Sequence, residues 1–236
     1  MADTSDRRPL IVLAVPDETR PFLKLATARW AAAERPRLVR RGPQGVEASV
    51  GPIRILTAGM GQANAEASFR AALNAGIPEW VVTGGFTGGL NPTLALSDLI
   101  WDADPEFPAT TWLETSGGRP GRFHCQSTIA VTAEAKAALR RETGADAVEM
   151  ESGVLRTLCH HCGIPSATFR VISDTAATDM PLDFNRTTTP DLRLSPWRLA
   201  REILWHPRSI PCLIRFQGET SRAAQRLAVE LMRLPV

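Results

Sequence analysis

The sequence predicts an α/β fold, one domain with a mixed, mostly parallel central sheet flanked by helices. Three observations carry this. Short apolar runs alternate with helical patterns along most of the chain. A length of 236 residues, 44% of them hydrophobic, suits one large core. Residues 145–149, 152–162 and 167–172 read as a β-α-β unit whose helix is stopped by Gly163-Ile164-Pro165.

The elements follow in order. Residues 10–15 are an apolar run long enough for a buried strand. A helix is expected over 21–33, with Pro21 in its first turn. Residues 46–50 and 53–57 read as a hairpin across Gly51-Pro52, and the Ala-rich 62–75 as a helix ending at Gly76. Strands are expected at 80–83, 98–102 and 128–131, with a glycine loop after the first of them. Residues 133–142 form a helix for which Thr132 is the natural N-cap. From Leu194 onward the pattern is helical, punctuated by Pro207 and Pro211.

Composition narrows the function classes. A formal net charge of +2 gives no reason to expect nucleic acid as a partner. Lys24 and Lys136 are the only lysines, so the basic residues are nearly all Arg, a matter of composition rather than phosphate recognition. The first nine residues lack the apolar stretch of a signal peptide, and no apolar run approaches the roughly 20 residues of a membrane span. Four cysteines in a chain of this size suggest reduced thiols and a cytoplasmic protein. Cys159-His160-His161-Cys162 offers potential metal ligands, but consecutive helical side chains diverge and no second pair is suitably spaced, so no metal or cofactor is expected.

The chemistry concentrates in Ala147-Val148-Glu149-Met150-Glu151-Ser152 and Arg170-Val171-Ile172-Ser173-Asp174. These place one acid at a helix start and another at the end of the next strand, where open α/β sheets bind ligands. Two carboxylates delivered there can act separately on a sugar and on its leaving group. Together with Ala14-Val15-Pro16-Asp17-Glu18, the turn from Gly59 to Ala65, and Gly85-Phe86-Thr87-Gly88-Gly89-Leu90-Asn91-Pro92, these segments resemble the purine nucleoside phosphorylase superfamily. Within it the resemblance is closest to the methylthioadenosine/S-adenosylhomocysteine nucleosidases.

The resemblance implies one domain over residues 1–236, a partly closed, barrel-like sheet, and assembly as a homodimer or larger oligomer. It implies cleavage of the N-glycosidic bond of a purine nucleoside. Asp174 would act as the acid at the purine N7, its pKa raised by burial, with Ser173 holding it. Glu151 would accept hydrogen bonds from the ribose hydroxyls, Met150 would pack on ribose or base, and Glu18 would activate water. Gly85 belongs to the central glycine segment, read as a loop that approaches the sugar closely.

Water and phosphate are both open as the nucleophile. Thr83 and Phe86 stand where phosphorylases carry an Arg and a Ser, which leans towards hydrolysis. Arg20, near the position of a phosphate-binding Arg, and the backbone N–H groups of Gly59 and Gly61 lean the other way. Phe86 either stacks on the base or fills space, and Phe184 and Asn185 are further candidates for the base side. The segment between Ala130 and Val148 is shorter than in those nucleosidases and lacks their stacking aromatic. The helical tail from about residue 193 diverges. Its mixture of Trp197, Trp205, Leu204 and Ile214 with arginines fits a helical pair packed on the domain or on a second subunit better than a membrane-surface segment. It also loosely resembles relatives acting on hopanoid-linked nucleosides, which would imply a bulky apolar 5′-group. A non-catalytic nucleoside binder is the reading from another class.

Overall fold

A computed structural model describes residues 6–30 and 36–236. The N-terminal pentapeptide and the last residues of the helix expected to end at Ala33 lie outside them. The elements are β1 (Leu10–Leu13), α1 (Pro16–Trp30), β2 (Arg37–Arg41), β3 (Gly45–Val50), β4 (Ile53–Thr57), α2 (Gln62–Leu73), β5 (Val81–Gly89), β6 (Leu99–Ala103) and α3 (Thr110–Thr115). They continue with β7 (Arg119–Pro120), β8 (Phe123–Cys125), α4 (Ala133–Thr143), β9 (Ala147–Glu149), α5 (Ser152–His161), β10 (Ser166–Asp174), α6 (Phe184–Thr187), α7 (Pro196–Trp205), a 3₁₀ turn (Pro207–Ser209) and α8 (Ile210–Leu231).

Among the described residues the strands form one sheet in the order β2-β3-β4-β1-β5-β10-β6-β7, with β9 and β8 branching from β5. The middle is parallel: β4, β1, β5 and β10 run the same way, and β6 returns antiparallel to β10. Strands β1 and β10 are buried along their whole length, as expected of parallel strands covered on both faces. Helix α8 packs on α1 and β10, burying Ala223, Ala224, Leu227, Ala228 and Leu231.

Strand β5 does most to place the site. Its first half pairs with β1, and its end, Gly88 and Gly89, pairs antiparallel with β9. Strand β10 follows it throughout, with an irregularity between Ile172 and Asp174 that sets Ser173 out of register. The segment expected as a glycine loop is therefore strand. A bulkier residue would clash here: a Cβ on Gly84 would come 2.9 Å from Leu13 Cδ2, and one on Gly85, whose φ is +134°, 2.6 Å from Glu18 Oε1.

Other differences have local causes. Helix α1 starts at Pro16, which takes the first-turn proline position, so Pro21 lies inside it. Residues 128–131 are not a strand: Asn185 brackets Ile129, accepting its N–H at 2.9 Å and donating to its carbonyl at 3.0 Å, and Val131 O accepts from Met180 N. The β-α-β unit is not a parallel pair, because β9 pairs with β5 and β8 while β10 lies on the other side of β5's length. Thr132 caps α4 through Ala135 N, and Gly144 ends it in the left-handed conformation. Among the described residues nothing covers the apolar face of α7: Trp197, Leu204 and Trp205 are exposed. No described helix is long and apolar enough to cross a membrane.

At the far side of the sheet Glu47 accepts from Arg54 (2.8 Å) and Arg41 (2.7 Å), and Arg54 also donates to the carbonyls of Ala72 and Gly76 at the end of α2. Arg54 is 1% exposed. Removing its carboxylate partner strands a buried charge, so Glu47→Ala is expected to cost about 3–5 kcal/mol. The check is a urea titration, in which the midpoint should fall with the slope unchanged.

Candidate active site

The carboxyl ends of β1, β5, β9 and β10 open into a cavity of about 550 Å³. Glu18, Phe86, Met150, Glu151, Ser173, Asp174 and Phe184 line it, and Arg20 stands at its exposed edge. Gly85 and Gly59 do not line it. Gly85 backs onto the Glu18 carboxylate, and the Gly59 N–H is spent on Ala14 O at 3.0 Å.

Each acid is held by backbone donors. Glu18 sits in the first turn of α1, where its Oε2 accepts from Ala14 N (2.8 Å) and Val15 N (3.1 Å) and its Oε1 from Phe86 N (2.7 Å). Burial pushes its pKa up, opposed by Arg170 and by those donors. Glu151 immediately precedes α5 but makes no side-chain cap to that helix; its Oε1 takes the N–H of Gly61 at 2.9 Å, across from the start of α2. Desolvation, against the pull of Arg170 and with the repulsion of Glu149, lifts its pKa to about 7.

The capping of α5 falls to Glu149, whose role the sequence reading missed. Its carboxylate accepts from Glu151 N (2.8 Å), Ser152 N (2.7 Å) and Ser152 Oγ (2.7 Å). Burial raises the pKa of this group, but Arg170 and the three donors outweigh that and hold it below the ordinary value.

Arg170 links these carboxylates. It stands on β10, 1% exposed, donating to Glu149 Oε2 at 2.7 Å, Glu151 Oε2 at 3.3 Å and Phe86 O at 3.1 Å. Its signal in the sequence was an arginine inside an otherwise buried strand, which demands internal partners.

Asp174 ends β10, and Ser173 Oγ donates to its Oδ1 at 2.7 Å. Its other oxygen faces a counter-charge: Lys136 Nζ lies 2.5 Å from Oδ2. Nothing in the pattern of α4 marks that lysine. Helix α8 was also missed as a wall; Phe216, Gln217, Thr220 and Ser221 line the cavity, and Phe216 packs on Phe184 at 5.7 Å between centroids.

The groups proposed for phosphate are otherwise engaged. Gly61 N serves Glu151, and Arg20, three-quarters exposed, pairs with Asp17 at 3.1 Å. Thr83 is buried against Thr168 and does not reach the cavity. Cys159 turns into the core while His160, His161 and Cys162 face solvent, so the four do not converge.

Residues 118–195, which hold Lys136, Glu149, Glu151, Arg170 and Asp174, match the family model described as the phosphorylase superfamily. The fold is that of the nucleosidases of this class. A 5′-methylthioadenosine/S-adenosylhomocysteine nucleosidase from Helicobacter pylori is similar with a TM-score of 0.67 at 17% identity, over 97% of this chain and 98% of that one. The futalosine hydrolase of Helicobacter pylori gives 0.66 at 18%, over 96% of each chain. The 5′-methylthioadenosine nucleosidase of Arabidopsis thaliana gives 0.66 at 14%, over 95% and 93%. No curated protein sequence matches significantly. The resemblance drawn from the motifs is thus met by sequence in one segment and by fold along the chain.

The raised Glu151 has a consequence for stability. Between its ordinary value of 4.5 and about 7 the folded chain holds a proton that the unfolded chain has released. Stability therefore falls as pH rises through that window. Glu18 acts in the same sense, whereas the depressed Glu149 contributes fully above its ordinary value of 4.5 and adds no slope there. Thermal midpoints recorded across the window should decline for the parent chain and decline less for Glu151→Gln.

Proposed function

We propose that this chain is an enzyme that cleaves the N-glycosidic bond of a purine nucleoside, with water as the attacking species. The observation that carries the reading is the convergence of Glu18, Glu151 and Asp174, distant in sequence, on one cavity at the carboxyl ends of the sheet.

Breaking an N-ribosidic bond builds positive charge on the sugar and negative charge on the base. Glu151 accepts hydrogen bonds from the ribose 2′- and 3′-hydroxyls and favours the cationic ring. Its poise near 7 suits a group that gives up burial with a proton for two substrate donors. Asp174 serves the purine N7, aimed by Ser173. Glu18 takes the proton of the attacking water; a carboxylate raised above its ordinary value is a stronger base. Met150 packs on the sugar, and Phe86 and Phe184 offer aromatic faces to the base.

Water is supported over phosphate by the engagement of Arg20, Gly59 and Gly61 within the chain. The nucleosidase and hydrolase names of the similar structures point the same way and suggest 5′-methylthioadenosine, S-adenosylhomocysteine or related nucleosides as substrates.

The test is a mass-spectrometric product assay with adenosine, inosine, methylthioadenosine and S-adenosylhomocysteine, each with and without phosphate. Free base and free sugar, indifferent to phosphate, are expected. Asp174→Asn and Glu18→Gln should each lower turnover by about 10²–10⁴-fold while the protein stays folded. Sugar 1-phosphate formed only with phosphate would make the enzyme a phosphorylase. Bound nucleoside without any product would make it a binder.

A further inference from the structure

Lys136 lies on α4 and is fully buried. Its Nζ meets three acceptors: Thr175 O at 2.9 Å, Thr178 O at 2.8 Å and Asp174 Oδ2 at 2.5 Å. An ammonium has three N–H donors and no acceptor, so this set is filled by the charged form. A buried ammonium requires a counter-charge, and Asp174 supplies it. With Ser173 donating to Oδ1 and Lys136 to Oδ2, the resting Asp174 is a carboxylate with a donor on each oxygen. A carboxylate has no proton to give to a leaving base. The proton nearest to it on a charged group is on Lys136.

We propose that Lys136 is a positioning residue that acts through Asp174 and also stores the proton the leaving base receives. This rests on the reading of Asp174 as the group at N7. As the C–N bond breaks, its electron pair passes to the base and N7 becomes basic. One proton leaves Lys136 Nζ for the Asp174 carboxylate, and Asp174 gives one to N7. Asp174 ends as a carboxylate, Lys136 as a neutral amine, and the base leaves neutral. The attacking water loses its proton to Glu18, and solvent exchange after product release returns one proton to Lys136.

The deciding variant is Lys136→Arg, which keeps the charge but carries protons that a guanidinium does not release in proteins. Lys136→Met removes both. Each is assayed on inosine and methylthioadenosine and on their 7-methyl derivatives, whose quaternised N7 lets the base leave without a proton. Both variants are expected to lose about 100-fold in kcat on the unmethylated nucleosides, with KM little changed, and to keep turnover of the 7-methyl forms within a few-fold. If Lys136→Met alone does not fold, Lys136→Arg, which keeps a cation opposite Asp174, carries the test by itself. Full activity of Lys136→Arg on unmethylated substrates would reduce Lys136 to a fixed charge and overturn the proton store. Equal loss on both substrate types in a folded variant would overturn it too, by assigning Lys136 to the shape of the site. A parent chain that cleaves none of the four nucleosides would remove the reading of Asp174 itself, and the proposal with it.

Discussion

Arg170 stands on a nine-residue strand with no exposed position, where a guanidinium is tolerable only because carboxylates close around it. Glu149 carries most of that duty, and in doing so also caps α5 and fixes the chain direction just before Glu151. Glu151 is then left with a weaker share of the cation and a single backbone donor from Gly61. Two glutamates separated by one residue thus acquire opposite tendencies. One is held ionised as a structural anion, and the other is poised near neutrality. The difference lies in the donors each receives rather than in depth of burial, since both are almost wholly buried.

A second charge pair orders the other end of the cavity. Lys136 and Asp174 join α4 to the end of β10, and the two threonine carbonyls that share the ammonium draw in the loop after that strand. Two buried cations therefore stand behind the acids of the cavity. Arg170 offsets Glu149 and Glu151, and Lys136 answers Asp174. Backbone donors complete the arrangement at Glu18, where the strand β5 supplies Phe86 N from beside a glycine that has no room for a side chain.

The parts of this arrangement legible in the sequence were those written in local patterns. Apolar runs located β1, β6 and β10, alternation and turn residues located the β3–β4 hairpin, and capping chemistry located α4. Acids at strand ends marked Glu151 and Asp174. What stayed hidden depended on pairing across the chain. Residues 84–89 look like a loop because glycine breaks strand propensity, yet they are strand because their neighbours approach too closely for a side chain. Residues 128–131 look like a strand because they are β-branched and apolar, yet one asparagine side chain brackets Ile129 in place of a ladder. Lys136 carries no sequence signal because its partner lies 38 positions away on another element.

Helix α8 has two halves with different obligations. Its C-terminal half is locked to α1 and β10 by small buried side chains, and its N-terminal half supplies Phe216, Gln217, Thr220 and Ser221 to the cavity. The acids and cations of the site all come from residues before 175. The charged groups and the α8 wall are thereby written in separate stretches of the chain. Substitutions at Phe216, Gln217, Thr220 or Ser221 can therefore recontour one wall of the cavity while Arg170, Lys136 and the carboxylates they offset are left as they are, so that shape and charge are free to vary independently.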